Sequence, residues 1–439
     1  MITKLKTIFG DVDWYIFAAS VVLMIVGVLF IYSSGVTSTG VVVSSEYVRQ
    51  IAWVSLGIAF IFFFIILDYK RIKDNSFLIY VIVIALLVYT RVFGRVVNGA
   101  RSWLGIGELG IQPSEFAKIA TILFLSKYLE STQHSISGFK RFLGALTIVA
   151  IPMLLILSQP DFGTALVFIP ILLSMTFLCG VEKRYVVFIL STVALTLVLT
   201  VLPLWERNIA AKTTKYLFVL YESPYLYWII LAGTAVIGLS VWGYLAFRKR
   251  YYFWIAFVSL IAVISLAASF LGHKVLKDYQ IMRLIVFLDP TVDPRGSGWN
   301  ILQSITAIGS GGVSGRGFLQ GTQSHYRFLP QQSTDFIFSI LSEEWGFIGG
   351  IVIFSLYGLI LWRSLSLLKT IKDSFAVGII SGICGMLFFH FMINVGMTMG
   401  IMPITGIPLF FLSYGGSSLW TVLIGIGLIL GISARRYHS

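Results

Sequence analysis

Residues 13–34 read DWYIFAASVVLMIVGVLFIYSS, with a single charge at the first position and none after it. A helix rises about 1.5 Å per residue, so about twenty apolar residues cross a hydrocarbon core of about 30 Å. Comparable runs follow near 47–67, 75–91, 114–130, 143–158, 162–180, 184–204, 225–247, 251–272, 335–362, 374–397 and 407–433, giving about 12 spans. The chain is 57% hydrophobic and only 12% charged, whereas soluble domains carry about a quarter charged residues. A membrane barrel would show short alternating segments rather than unbroken runs. The expected fold class is therefore all-α, a polytopic transmembrane helical bundle over 1–439. No small-residue cleavage site follows the first run, which is read as a retained span.

An even number of spans puts both termini on one side. Of the 32 basic residues, 18 then fall in short segments on that side, including Lys70, Arg71, Lys73, Arg248, Lys249 and Arg250. The positive-inside rule makes that side cytoplasmic. Exceptions lie in or beside the outward loops: Arg91 at the edge of 92–113, Arg95 and Arg101 within it, and Lys274, Lys277, Arg283, Arg295, Arg316 and Arg327 in 273–334. Outward cations held against the bias suggest an anionic ligand such as phosphate or carboxylate, although any single one also reads as an ordinary solvated charge. The 273–334 segment is unusually long for a loop, and its apolar and aromatic content argues against disorder. Cys179 and Cys384 lie inside apolar runs and read as packing residues, and the five histidines lack metal-ligand spacing.

Several segments carry chemistry. The long loop holds DPTVDPRGSG, in which Asp289 and Asp293 each precede a proline that keeps them out of the helical region. Gln303 and Ser304 follow, then a glycine-dense stretch, AIGSGGVSGRG, whose amides suit close approach to an anion or sugar, or simply tight turns. At FLPQQSTDFIF, Thr334 or Asp335 reads as a helix cap, and Asp335, Ser339 and Glu343 share one polar face. Glu343 and Glu344 lie at membrane depth, too costly to leave unpaired in lipid. In QPSEFAK, Pro113 suits a first helical position, and Glu115 with Lys118 reads either as a buried ordering pair or as catalytic. Asp161 in QPDFGT reads as a cap, and NGARSWL sets Arg101 beside Trp103, an interfacial anchor or a lipid-facing pair. Ser413 belongs to a glycine-rich mouth, SYGGSS, between the last two spans.

Together, NGARSWL, QPSEFAKI, QPDFGTA, DPTVDPRGSGWNILQS, AIGSGGVSGRG, LPQQSTDFIF and the run Asn394–Ser418 resemble the SEDS family (shape, elongation, division and sporulation) over nearly the whole chain. The resemblance implies a single SEDS domain with a ten-helix core, here extended by a hairpin near 225–272. It implies a peptidoglycan glycosyltransferase of the bacterial cytoplasmic (inner) membrane, active on the extracytoplasmic face. Such enzymes polymerise lipid II onto a nascent glycan strand beside a class B penicillin-binding protein, within membrane lipid and without nucleic acid. The family's loop aspartate falls on Asp293. As base it would deprotonate the acceptor hydroxyl in an inverting transfer. Arg101, Lys118 and Arg283, or a divalent cation (Mg or Mn), would stabilise the departing diphosphate, with Glu115 and Asp161 orienting these cations or holding the metal, and no organic cofactor is implied. Trp103, Gln303, Ser304, Thr334, Asp335 and Ser413 complete the expected substrate-binding set. Members commonly carry Glu at Gln331 and Pro at Phe410, so those positions are assigned no catalytic role. GTQS followed by FLPQQSTDFIF favours the elongation (RodA-like) branch. The alternatives are a division-type polymerase, a lipid II flippase, for which no inverted repeat is visible, and a non-catalytic scaffold.

Overall fold

The computed structural model describes residues 9–97, 99–106, 109–206, 223–275, 278–293 and 296–436. Asn98, Lys277, Pro294 and Arg295, used in the sequence reading, lie outside the described residues. The helices are α1 (Trp14–Ser34), α2 (Glu46–Ile66), α3 (Tyr69–Phe93), α4 (Pro113–Ser131), α5 (Gly138–Ser158), α6 (Phe162–Leu166) and α7 (Phe168–Leu178). They continue as α8 (Lys183–Trp205), α9 (Ser223–Phe247), α10 (Arg250–Val275), α11 (Asp278–Leu288), α12 (Ser297–Gly311) and α13 (Thr322–His325). The last three are α14 (Ile337–Leu367), α15 (Ser374–Thr398) and α16 (Gly416–Ser433). Among the described residues, 10 helices are long and apolar enough to cross a membrane: α1–α3, α5, α8–α10 and α14–α16. The other two expected spans are present as α4, which carries Glu115, Lys118, Lys127 and Glu130, and as the pair α6–α7, divided at Val167.

The chain forms two compact units, Met1–Val181 with Gln303–Ser439, and Glu182–Leu302. In the first, α16 packs on α2, α15 on α4 and α7, and α14 on α1. Helices α16, α15 and α4 have most of their residues buried, whereas α2 has only a few, so these three form the unit's core. Small residues permit the approach: Gly378 of α15 abuts Ser126, and Gly382 abuts Ile122 and Met175. At one end of the unit, basic side chains close helix C-termini whose carbonyls have no intrahelical donor. Arg435 donates to Ile65 O (2.9 Å) and Ile66 O (2.8 Å), and Arg141 to Leu129 O (2.7 Å) and Cys179 O (3.0 Å). At the other end, part of the expected 92–113 loop is an antiparallel sheet of β1 (Arg95–Val97), β2 (Ala100–Ile106) and β3 (Leu109–Ile111), with Trp103 opposite Arg95.

In the second unit, α10 packs on α8 and α9, and Ser265 Oγ donates to Thr192 O (3.1 Å). The expected long loop 273–334 is instead largely helical: α11, a 3₁₀ turn at Pro290–Val292, α12 and α13. Such helices bury only one face and so present no long apolar run, as in α12, where Ile301, Ser304 and Ala307 are buried and Leu302 and Ile305 exposed.

The helix α14 is broken at Gly346, which holds φ 64° and ψ −159°, a region open essentially to glycine alone. The chain before α13 fills the break. Arg316 and Gly317 amides donate to Glu343 O and Glu344 O (3.0 Å each), while Phe347 and Ile348 amides donate to Gly312 O (2.9 Å) and Val313 O (3.1 Å). The Glu343 and Glu344 carbonyls and the Phe347 and Ile348 amides, freed at the break, are thus paired, as an apolar surrounding demands. The glycines there serve this close backbone contact. A Cβ on Gly346 would meet Gly315 N and, at 2.7 Å, Val313 O. Gly346→Ala is expected to lose about 1–3 kcal/mol from backbone strain alone, read as a lower melting temperature in detergent; an unchanged melting temperature would contradict the assignment.

Candidate active site

Pro113 opens α4, where its missing N–H is no loss. Three-residue spacing then stacks Glu115 and Lys118 on one face. Lys118 is fully buried and Glu115 is 3% exposed, with Lys118 Nζ 2.7 Å from Glu115 Oε1. The ammonium also lies 3.2 Å from His390 Nε2 on α15 and 5.2 Å from the Phe410 ring centroid. Glu115 Oε2, Ser114 Oγ and Thr421 Oγ1 are buried without a protein hydrogen-bond partner. The sequence-predicted pair is therefore real, and a third partner, His390, went unnoticed. Its signal was an ionisable residue inside an apolar run.

Around this pair, three helix starts are tied together. The Gln112 main-chain N–H donates to Ser417 Oγ (3.0 Å) at the head of α16, and Gln112 Nε2 donates to Asp161 Oδ2 (2.8 Å). Asp161 caps α6 as expected, accepting from the Thr164 amide (3.2 Å) and hydroxyl (3.0 Å). Gln50 braces the same corner, donating to Ser413 O (3.4 Å) and accepting from the Gly415 amide (3.3 Å). Helix N-termini carry partial positive charge; at α6 it is met by the Asp161 carboxylate, which leaves the starts of α4 and α16 to favour an anion.

The other expected residues in the first unit divide into a staple and a surface group. Ser413 Oγ donates to Thr334 O (2.6 Å) and accepts from the Leu409 amide (2.9 Å). Asn394 Nδ2 donates to Asp335 O (3.0 Å) and Ile407 O (2.8 Å). Neither Thr334 nor Asp335 caps the following helix: Phe336 is the N-cap, because their carbonyls are held by Ser413 and Asn394 and the Thr334 hydroxyl turns back to Gln331 O (3.2 Å). Ser304 is buried between Ser339 Oγ and Thr398 O, both at 2.6 Å, and Gln303 beside it is half-buried. Glu343 accepts from the Thr322 (2.7 Å) and Gln323 (3.0 Å) amides. Glu344 accepts from the Ser33 hydroxyl and the Leu319 amide. The polar face on α14 thus lines protein. Arg101 is exposed on β2, donating to Val92 O (3.1 Å), and Trp103 lies half-buried against Gly110.

In the second unit, Arg283 is half-buried on α11. The two aspartates differ. Asp289 caps the 3₁₀ turn, accepting from the Thr291 hydroxyl (2.6 Å) and amide (2.9 Å). Those bonds, the hydroxyl foremost, hold its carboxyl below the usual carboxylate range. Asp293 closes the turn partly exposed, its carbonyl accepting from the Gly296 (3.3 Å) and Gly298 (3.1 Å) amides. Its carboxylate lies where a Cβ on Gly296 would stand.

Among the described residues no group of three or more His, Cys, Asp and Glu could hold a metal ion. Asp161 is engaged by Gln112 and Thr164, and Glu115 by Lys118. Of their carboxylate oxygens, Glu115 Oε2 alone stays without a protein partner, so the expected divalent cation (Mg or Mn) has one open carboxylate oxygen here and no three-residue donor group among the described residues.

Fold and site define a polytopic helical membrane protein with a buried ion pair beneath converging helix starts. The FtsW/RodA/SpoVE model, described as cell cycle protein, matches residues 13–227 and 231–438. The chain is 51% identical over 427 residues to the peptidoglycan glycosyltransferase RodA of Treponema pallidum (strain Nichols), covering 97% of this chain and 98% of that one. It is 32% identical over 358 residues to the peptidoglycan glycosyltransferase MrdB of Escherichia coli (strain K12), covering 82% and 77%. A chain of a peptidoglycan synthase complex that coordinates polymerization and crosslinking aligns with TM-score 0.64 and 26% identity, covering 98% and 99%. The chain belongs to the FtsW/RodA/SpoVE (SEDS) family. Within that family it is RodA-like.

Breaking a buried pair from one side leaves an uncompensated charge, so Lys118→Met is expected to destabilise by about 3–5 kcal/mol. Glu115→Gln with Lys118→Met should recover most of that loss. Additive effects in a thermal-melting double-mutant cycle would show that the two side chains do not depend on each other.

Proposed function

We infer that the chain is a peptidoglycan glycosyltransferase that polymerises lipid II into glycan strands for cell-wall elongation and cell shape. Family membership supports the activity. The observation that carries the reading on the chain's own residues is the meeting of the α4 and α16 starts over the buried Glu115–Lys118 pair, a setting suited to a diphosphate.

In the transfer, Asp293 takes the proton from the acceptor hydroxyl. The acceptor oxygen forms a bond to the anomeric carbon of the donor sugar with inversion, the carbon–oxygen bond to the diphosphate breaks, and undecaprenyl diphosphate leaves with the electron pair. Asp289 suits this role poorly, because a carboxylate stabilised by Thr291 is a weak base. The charge gathering on the leaving group is met by positive helix ends and by cations, with Arg101 and Arg283 as the accessible candidates and Lys118 acting through Glu115. No step is routed through a metal.

The basic residues that close helix C-termini support a cytoplasmic position for that end of the first unit and for both chain termini. The converging helix starts would then open on the extracytoplasmic side of the cytoplasmic membrane. Cross-linking of glycan strands falls to a partner, which we identify as a class B penicillin-binding protein. Asp293→Ala is expected to abolish conversion of labelled lipid II into polymer while leaving melting and membrane insertion intact, and Asp289→Asn, which keeps a capping side chain, should retain most activity. Normal polymer from the Asp293 variant would refute the assignment.

A further inference from the structure

We propose that His390 is a positioning residue for glycosyl transfer, holding the Lys118 ammonium against Glu115. This rests on the reading that the Glu115–Lys118 pair serves the reaction. His390 is 1% exposed, and its Nδ1 lies 3.0 Å from Pro408 O. A carbonyl oxygen can only accept, so Nδ1 carries the hydrogen and Nε2 offers its lone pair. That lone pair faces Lys118 Nζ at 3.2 Å. The chain of contacts therefore has one direction, from Lys118 to the ring and from the ring to Pro408.

The imidazole is itself fixed. It stacks on Phe410 with centroids 3.7 Å apart and planes 20° apart, and the Phe410 carbonyl accepts from the Tyr357 hydroxyl. The same phenyl ring lies 5.2 Å from Lys118 Nζ, close enough for a cation–π attraction. Phe410 stands where the resembled family commonly has proline, so this ring is a feature of the chain itself. The ammonium has three hydrogens. Glu115 Oε1 takes one and His390 Nε2 a second. Removing the second acceptor frees Lys118 to turn, and Glu115 follows the charge it is bound to. Glu115 Oε2, buried with no protein partner, is the oxygen whose aim would change. Misaim at that oxygen affects the transition state rather than uptake of the lipid-linked sugar.

Full-length protein in lipid vesicles, given labelled lipid II, tests this with three variants. His390→Leu is expected to lower kcat at least about tenfold with KM within about twofold. His390→Gln, whose amide donates to Pro408 O and whose oxygen accepts from Lys118, should recover kcat to within about threefold. An equal loss in both variants, a change confined to KM, or no change overturns the proposal. Should His390→Leu fail to fold by melting analysis, Phe410→Leu takes its place, with a fall in kcat at unchanged KM expected and unchanged kcat contradicting it. Glu115→Gln separates the two layers: if inactive while His390→Leu works normally, only this inference fails, and if fully active, the reading of the site fails and takes the inference with it.

Discussion

A lysine ammonium with no access to water can persist only where protein atoms replace its hydration shell. Lys118 is such a group, and the first unit is arranged around its needs. Glu115 comes from the same helical face, His390 from α15, and the Phe410 ring from the segment before α16. These contacts fix α4 against α15 and against the segment that leads into α16. The head of α4 is then held by Gln112 to Asp161 and Ser417, which brings three helix starts to one place. A pre-formed corner follows from the burial of one ion pair.

A second pair of carboxylates does comparable work at the break in α14. Glu343 holds the start of α13 through two amides, and Glu344 joins the Leu319 amide to Ser33 of α1, with His325 Nε2 3.6 Å away. The glycine-dense stretch before α13 is thereby fixed by backbone bonds on one side and carboxylates on the other. Acids at membrane depth are kept because each has several donors, and their removal would leave those donors orphaned.

Much of this was legible in the residues. Long apolar runs announced the spans, and the three-residue spacing of Glu115 and Lys118 announced their pairing. Asp161 was readable as a cap because a polar residue directly ahead of a helix satisfies its free amides. The capping role expected of Thr334 and Asp335 failed because Ser413 and Asn394, some sixty to eighty positions away in sequence, capture their carbonyls. The helices in 273–334 and the sheet at 95–111 were hidden for another reason: a one-sided helix or a three-residue strand leaves no apolar run. His390 was hidden by isolation, since nothing near it in sequence shows that it meets Lys118. Asp289 and Asp293 look alike in the sequence, and the Thr291 bonds to Asp289 set them apart in the structure.

The claim on which the rest turns is that this chain makes the glycosidic bond itself. Purified protein in lipid vesicles, supplied with labelled lipid II and no other enzyme, addresses it in one gel separation. Long glycan strands appearing with free undecaprenyl diphosphate are predicted. Labelled lipid II that stays monomeric, whether or not it crosses the bilayer, would contradict the account.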